Sequence, residues 1–442
     1  MKKAIKLISL LMALILTLGL FTGCTESNLS VEDDGDLETL TMTVGVPADS
    51  SNTDWREIIS LWMEDMELYY TFDLKIVSVP TEEAGYKDFM KKVDRGEIAM
   101  FIAEPSAMTE QLRLDESLVE VDTIQKEYTA LYDDISEAAL DLAMEEDTYH
   151  WAYPLSGSYQ GLYYNTEIFE QHQIAVPTNW AELLTAVEGL KTAGVTPIAA
   201  GFADEGLNYM VDELILSEGG VADHSYQPTF GIVSSWERAI QHLKELETAG
   251  AFTSDCYNNT FDNAVDSFLN GQAAMIVAPS TAFNGALDLD TTGFMGLPAT
   301  STGKRGANAI VGELEYGVYF SLKYYQKQDE RYMEALIDLL NDDYITSPDL
   351  YNMLKDEGTF SAVKSYYDDA ENNIEECLGE ILTAEGSEAD LPMSKHLYTF
   401  DNLVDAFRNV LTGADMETEL LAAAQTEIQA AEEAEAQETE KD

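Results

Sequence analysis

The chain has 442 residues, of which 45% are hydrophobic and 10% aromatic. This length and this apolar content predict a folded protein of two or three domains. The charge is extreme, because 82 acidic residues outnumber 24 basic ones and give a formal net charge of -58. Such a surface repels phosphate groups, which argues against nucleic acid and against polyanionic substrates. Only three cysteines are present, so the sequence predicts no disulfide framework.

The amino terminus has the pattern of a bacterial secretion signal. Three lysines precede an apolar run at residues 8–21. The run is shorter than the roughly 20 residues that a membrane-spanning helix needs. It ends in Thr22-Gly23-Cys24, which resembles a bacterial lipobox, where cleavage frees the cysteine for lipid attachment. We predict a lipoprotein signal peptide at 1–23 and a lipid anchor on Cys24. A plain secretory signal with an incidental cysteine is the alternative.

Both flanks of the body are acidic and poor in large apolar residues. Such segments do not bury enough apolar surface to fold alone. We predict a flexible tether at 24–39 and an acidic tail at 426–442.

The first part of the body alternates between strand and helix patterns. Alternating apolar residues predict a strand at 40–46 that stops at Pro47. Apolar residues at helical spacing predict helices beginning near Trp55 and near Tyr86. Further strands are predicted at 74–79 and 98–103. This βαβαβ order predicts a largely parallel sheet.

The middle of the chain continues this alternation, and the chain becomes mainly helical after about residue 330. Gly194 and Gly250 are placed to end two of the helices. Helices are predicted at 180–192, 235–248 and 264–269, and strands at 160–164, 197–200 and 273–278. Two α/β units followed by helices predict a two-lobed protein.

The sequence lacks the patterns of common catalytic and metal sites. Its five histidines form no HExxH pair, and Cys256 and Cys377 have no CxxC partner. No phosphate-binding glycine loop is present. The segment GSYQG at 157–161 departs from a nucleophile elbow, because its serine directly follows the first glycine. We therefore predict that the protein is not an enzyme and needs no metal or cofactor.

A longer pattern lies in the middle of the chain. Residues 153–165 read YPLSGSYQGLYYN, residues 174–183 read IAVPTNWAEL, and residues 268–275 read FLNGQAAM. Together these segments resemble the extracellular solute-binding proteins of sugar ABC transporters (family 1, maltose-binding-protein-like). Gln173 and Asn179 depart from the family's usual Gly and Thr.

The resemblance implies an α/β, two-lobed periplasmic-binding-protein-like (type II) fold, with a hinge and a ligand cleft between the lobes. By the same likeness, lobe one comprises 40–105 and 317–345, and lobe two comprises 106–316 and 346–425. The implied protein is a lipid-anchored receptor on the extracellular face of the bacterial cell membrane. It captures a sugar or oligosaccharide and delivers it to ABC transporter permease subunits.

We expect a monomer that binds no nucleic acid. Three other hypotheses stay open at this point. They are a receptor of the same fold for a peptide or cation, a surface enzyme acting on glycans, and an adhesive surface protein. The acidic surface would suit a cation.

A sugar site needs aromatic rings for the apolar face of the pyranose and charged or amide groups for its hydroxyls. Loops at the carboxyl ends of strands face the cleft in open α/β sheets. Position and resemblance together select the following ligand-binding candidates: Asp49, Asn52, Glu104, Ser156, Ser158, Tyr159, Asp204, Glu205, Asn208, Tyr209, Phe283, Asn284 and Phe400. Ser156, Ser158 and Tyr159 are expected just before a strand. Each candidate has a structural alternative as a solvated loop residue, a turn residue or a core residue, and Trp55 and Trp151 are expected in the core.

Overall fold

The computed structural model describes residues 40–47, 55–60, 72–145, 149–224, 232–299, 310–327, 331–332, 340, 348–383, 393–395 and 401–439. The predicted signal peptide and tether lie outside these ranges, as do Cys24, Asp49, Asn52 and Phe400. None of the helices within the ranges is long and apolar enough to cross a membrane.

The first three strands form a parallel edge of the main sheet. Strand β1 (Leu40–Pro47) pairs in parallel with β2 (Phe72–Val79) on one side and with β3 (Met100–Ala103) on the other. Helical residues 55–60 (α1) follow β1, and α2 (Glu83–Asp94) follows β2. All four residues of β3 are buried, as expected for a strand covered on both faces. The predicted βαβαβ order is confirmed.

Two long antiparallel strands occupy the centre of the sheet. Strand β6 (Tyr153–Asn165) pairs with β10 (Ile310–Phe320), which also pairs with β3. On its other side, β6 pairs with β8 (Ala273–Pro279), and β8 pairs in parallel with β7 (Thr196–Ala199). The resulting strand order is β2-β1-β3-β10-β6-β8-β7. Thus β6 and β10 join two parallel parts of one mixed sheet.

The remaining elements connect these strands. Between β3 and β6 lie α3 (Ala107–Leu114), α4 (Val121–Glu127), α5 (Glu137–Ala143), β4 (Met144–Glu145) and β5 (Tyr149–His150). Between β6 and β10 lie α6 (Thr166–His172), α7 (Trp180–Ala193), α8 (Gly206–His224), α9 (Ser234–Ala249), α10 (Phe261–Leu269) and β9 (Thr292–Met295). After β10 come α11 (Leu322–Tyr325), α12 (Pro348–Asp356), β11 (Phe360–Ser361), α13 (Asn373–Leu382), β12 (Met393–Lys395), α14 (Asp401–Leu411) and α15 (Met416–Thr439).

Local capping explains where the predicted helices begin and end. The Asn179 side chain accepts a hydrogen bond from the Glu182 backbone N–H at 3.1 Å, which starts α7. Gly194 ends α7 with a φ of 79°, and Gly250 ends α9 with a φ of 81°. Glycine adopts this left-handed conformation without steric cost. Both predicted helix ends are confirmed.

The buried apolar residues form two main clusters. One contains β1 and β3 residues such as Val44 and Phe101, and the other contains Leu162 together with Trp236 and Phe407. The first cluster also contains buried side chains from residues 108–143 and 350–382, and the predicted boundaries assign both ranges to lobe two. The lobe boundaries stay a prediction.

The structure corrects two expectations about the central strands. Strand β6 begins at Tyr153, well before the predicted start at residue 160. Ser156, Ser158 and Tyr159 therefore lie inside a strand and not just before one. Strand β10 is absent from the predicted elements, because the acids at 313 and 315 interrupt its apolar pattern.

Candidate functional site

Polar side chains line one face of the central strand pair. Ser156, Ser158 and Gln160 alternate along β6, and side chains two residues apart point to the same face of a strand. In the register with β10, Ser158 lies opposite Glu313 and Ser156 lies opposite Tyr316. Side chains directly opposite each other share a face. The two strands therefore bring these five side chains together.

A β-bulge adds a sixth side chain to this face. The pairing of β6 and β10 shifts between Leu314 and Tyr316, which leaves Glu315 as the extra residue. Such a bulge redirects a side chain. The Glu315 carboxylate accepts a hydrogen bond from the Ser158 hydroxyl, so it lies on the same face as Ser158. We define the central polar face as Ser156, Ser158, Gln160, Glu313, Glu315 and Tyr316.

The carboxyl group of Glu315 has a high pKa. Burial is the main cause, and the neighbouring carboxylates of Glu313, Glu104 and Glu357 act in the same direction. The hydrogen bond from Ser158 opposes them, and the pKa rises from 4.5 to about 7. Near neutral pH the protonated and ionised forms of Glu315 therefore coexist.

Glu104 approaches the central polar face from the end of β3, which it follows directly, as predicted. Glu104 is exposed as a residue, but burial of its carboxyl group raises the pKa of that group. A hydrogen bond donated by the Tyr316 hydroxyl lowers this pKa, and the carboxylate of Glu313 raises it. The Trp55 ring packs edge-on against the Tyr316 ring, with centroids 5.2 Å apart. Trp55 is buried, as predicted. An acid and two aromatic rings thus meet beside β10.

The start of α8 contributes Tyr209, with Glu205 just before the helix. The Gln160 side-chain amide donates a hydrogen bond to the Tyr209 carbonyl at 3.3 Å. The pKa of Tyr209 is raised to about 12, mainly by burial and then by the negative charges of Glu205 and Glu313. Its hydroxyl therefore stays protonated at neutral pH and can donate a hydrogen bond. The influence of Glu313 indicates that Tyr209 lies near the central polar face.

Two further predicted residues near Tyr209 make structural contacts. The Asp204 carboxylate accepts a hydrogen bond from the Phe261 backbone N–H at 2.7 Å, at the start of α10. The Phe261 ring packs against the Tyr209 ring, with centroids 4.9 Å apart. Asn208 is half-buried, and its backbone N–H bonds the Glu205 carbonyl at 2.8 Å. Asp204 therefore supports the position of Tyr209, and direct ligand contacts by Asp204 and Asn208 stay predictions.

Tyr159 and Phe283 lie apart from the central polar face. Tyr159 follows Ser158 in the strand, so its side chain points to the opposite face. Its ring packs edge-on against Phe294, with centroids 5.1 Å apart, and both Tyr159 and Phe283 are buried. Asn284 is exposed and ends a short turn with a φ of 48°. The ligand contacts predicted for these three residues stay predictions.

A cavity of about 160 Å³ lies on the Tyr159 side of the sheet and is also lined by Phe283. Its polar wall holds an ion pair between Lys355 and Glu375. Burial raises the pKa of Glu375, but hydrogen bonds from Lys355 and Tyr351 and the lysine charge hold it below 4.5. The positive charge of Lys355 and the negative charge of Glu375 therefore balance each other in this wall.

Several residues of the central polar face were not predicted from the sequence. These are Gln160, Glu313, Glu315 and Tyr316. A usable signal was present in ELEY at 313–316, since two charges separated by one residue within an apolar run indicate a strand with one polar face. The bulge that lets Glu315 and Tyr316 share that face, although they are adjacent in the chain, is not readable from this pattern.

The chemistry of the face follows from its atoms. Within the described ranges, no group of three or more His, Cys, Asp or Glu side chains is arranged to hold a metal ion. The face instead combines carboxylate, hydroxyl and amide groups with the rings of Tyr316 and Tyr209. Convergent polar groups beside aromatic rings are typical of sites for small organic ligands.

Comparisons with known proteins identify the family. The profile of the bacterial extracellular solute-binding proteins matches residues 113–349, which is more than half of the chain. A search of curated proteins by sequence finds no match.

Solved structures share the fold at low sequence identity. A probable secreted solute-binding lipoprotein from Streptomyces coelicolor superposes with a TM-score of 0.69 at 16% identity, covering 88% of this chain and 98% of that one. RafE from Streptococcus pneumoniae superposes with a TM-score of 0.65 at 16% identity, covering 89% of this chain and 99% of RafE. The bacterial solute receptor AcbH superposes with a TM-score of 0.66 at 13% identity, covering 89% of this chain and 98% of AcbH. The two-lobed type II α/β fold is thus confirmed, and the chain belongs to the bacterial extracellular solute-binding proteins.

Proposed function

We propose that this protein is a receptor that binds a sugar or oligosaccharide at the central polar face and delivers it to an ABC transporter permease. The observation that carries the proposal is the meeting of Glu104, Glu315 and Tyr316 where β6 and β10 pair. Carboxylates accept hydrogen bonds from sugar hydroxyls, and rings cover the apolar face of a pyranose. The family indicates an extracellular or periplasmic location.

The solutes of structural relatives support this class of ligand. A RafE structure contains raffinose, and AcbH is described as preferring β-D-galactopyranose. A solute-binding protein from Agrobacterium radiobacter K84 was solved with ribitol. These relatives are all below 25% identical to this chain, so they favour sugars and polyols as a group without favouring one compound.

We extend the proposal to the anchor and the lobes. Cys24 would carry the lipid, and 24–39 would tether the receptor to the outer face of the membrane. The lobes at 40–105 with 317–345 and at 106–316 with 346–425 would close on the sugar by a hinge motion. The receptor would act as a monomer, without catalysis and without a cofactor. Incorporation of labelled fatty acid in cells, and its loss in Cys24→Ser, tests the anchor.

Thermal unfolding with a ligand panel tests the function. A ligand at a hundred times its dissociation constant stabilises the folded state by about 2.7 kcal/mol. Unfolding entropy is roughly 2.1 cal/mol/K per residue, so across Leu40–Asp442 this corresponds to a rise in Tm of about 3 °C. A rise with one sugar would support the receptor and identify its substrate. A rise with peptides alone would refute the sugar, and no rise with any compound would favour the adhesive alternative.

Variants test the place of binding. Glu104→Gln and Tyr209→Ala should each weaken sugar binding at least tenfold, since each removes one charged or aromatic contact. Glu188→Gln is the matched control for Glu104→Gln, because Glu188 is an exposed acid on α7 and its loss changes the net charge by the same amount. Unchanged affinity in both site variants would refute the proposed site.

A further inference from the structure

The cavity of about 160 Å³ lies behind the central polar face, on the other side of the sheet. Tyr159 lines it from β6, whereas its neighbour Ser158 belongs to the central polar face. Side chains of adjacent residues in a strand point to opposite faces. The turn after β8, α12, β11 and α13 enclose the rest of the cavity. The cavity is therefore separate from the place proposed for the sugar.

The inner wall of the cavity is made of buried rings. Four buried aromatic side chains line it: Tyr159, Phe283, Phe360 and Tyr367. The Tyr367 hydroxyl accepts a hydrogen bond from the Ser361 backbone N–H at 3.0 Å and donates one to the Ser361 carbonyl at 3.2 Å. Ile374 and Leu378 add apolar surface from α13. A buried water needs about two to four polar partners, so this wall favours an apolar occupant over water.

The polar wall of the cavity places a donor beside an acceptor. The Lys355 ammonium group pairs with the Glu375 carboxylate. That carboxylate also accepts hydrogen bonds from the Glu371 backbone N–H at 2.7 Å and from the Tyr351 hydroxyl. An ammonium group has three hydrogens and a carboxylate has about four acceptor positions, so each group can bind one more partner.

The size of the cavity and the chemistry of its walls select a small aromatic molecule with one polar group. An apolar cavity of about 150 Å³ holds one benzene molecule. Aromatic side chains favour a ring as their partner, because rings attract one another in edge-on and offset arrangements. The charges of Lys355 and Glu375 balance, so a neutral hydroxyl, which both donates and accepts, suits this pair. A phenol combines the ring with the hydroxyl and stays neutral at pH 7.

We infer that this cavity is a second ligand site, which binds a neutral phenol. The ring would lie among the buried aromatic side chains of the inner wall. The hydroxyl would accept a hydrogen bond from Lys355 and donate one to Glu375. The inference does not depend on the proposed binding of a sugar, because the two sites lie on opposite faces of the sheet.

Fluorine NMR of 4-fluorophenol with the purified protein at pH 7 tests the inference. The fluorine signal should shift or broaden until it saturates, with a dissociation constant of about 1 mM or below. Phenol without fluorine should displace the probe. The charged analogue 4-fluorobenzoate should bind at least tenfold more weakly, because it brings a negative charge next to the Glu375 carboxylate.

Filling the cavity should prevent binding. Leu287 and Leu289 line the cavity and are half-buried, so a larger side chain can enter there without replacing a fully buried residue. Leu287→Trp should weaken binding of 4-fluorophenol at least tenfold, and Leu289→Trp is the second variant if the first folds poorly. Leu411→Trp is the matched control, because Leu411 is half-buried on α14 and does not line the cavity. Unchanged affinity in both cavity variants would overturn the inference.

The polar wall is tested by removing both of its charges together. Lys355→Met combined with Glu375→Met leaves no unpaired charge. This double variant should weaken binding of 4-fluorophenol at least fivefold relative to fluorobenzene, which has the ring without the hydroxyl. An unchanged ratio would refute the place assigned to the hydroxyl.

Glu104→Gln shows on which face of the sheet the probe binds. Glu104 belongs to the proposed sugar site, so this variant should bind 4-fluorophenol as the parent protein does. Binding that is lost in Glu104→Gln and kept in both cavity variants would place the phenol at the central polar face and overturn the inference. A signal that never saturates would overturn it as well. None of these outcomes refutes the sugar receptor, because none of them measures sugar binding.

Discussion

Replacing Glu315 with glutamine should stabilise the protein above pH 7 and leave its stability unchanged near pH 4. In the folded protein, burial and the carboxylates of Glu313, Glu104 and Glu357 hold the pKa of Glu315 at about 7, against the ordinary 4.5. The folded state therefore binds this proton more tightly than the unfolded chain does. As pH rises from 4.5 to 7, the unfolded chain releases its proton first, so Glu315 destabilises the folded state progressively.

The difference between the two pKa values sets the size of the effect. Each tenfold change in proton binding is worth about 1.4 kcal/mol, so the change from 4.5 to about 7 corresponds to at most about 3 kcal/mol. The amide oxygen of glutamine can still accept the hydrogen bond from Ser158, so that contact is kept. Unfolding entropy of roughly 0.8 kcal/mol/K for a body of about 400 residues converts this into about 4 °C of Tm.

Calorimetric melting at pH 8 and pH 4 measures this directly. Glu315→Gln should melt higher than the parent protein at pH 8, and the two should coincide at pH 4. Glu188→Gln, an exposed acid on α7, should follow the parent at both pH values apart from a small effect of net charge. An equal gain at both pH values, or no gain at pH 8, would refute the reasoning about burial and like charges.

Three more substitutions test the packing around the central strands by urea unfolding. Gly157→Ala should cost about 2 kcal/mol, because its Cβ would lie 2.5 Å from the Phe360 ring; a cost near zero would contradict the packing. Lys355→Met should cost about 3 kcal/mol at pH 7, because it removes the cation that pairs with the buried Glu375 carboxylate. That cost should shrink in acid as the carboxyl group is protonated, and a cost independent of pH would argue against the ion pair. Ser156→Ala should raise stability by about 1 kcal/mol, because it removes a buried hydroxyl that has no described partner, yet weaken ligand binding; a loss of stability would contradict this.

Most helices and strands of the body could be predicted from local signals. The buried strand β3, the cap at Asn179 and the glycines at 194 and 250 each depend on residues next to one another in the chain. Helix caps and strand alternation can be recognised in a single sequence, because each depends only on residues close together in the chain. The predicted order of the first three strands is confirmed for the same reason.

The candidate site could be predicted only in part. Glu104 and Tyr209 were selected by their position after strands, and the structure brings both near β10. Tyr159 was selected from the family motif and Phe283 by its position after a strand, and both lie away from the central polar face. Alternation assigns Tyr159 to the face opposite Ser158, but it does not say which face meets the site.

The sequence by itself determined the family and the α/β class, because the segments at 153–183 and 268–275 are contiguous patterns that need no tertiary information. Only the tertiary structure decided which polar residues act together. The shift in register between Leu314 and Tyr316 places Glu315 beside Ser158, although the two residues are far apart in the chain. Register depends on pairing between distant strands, and a shift of one residue changes which side chains share a face.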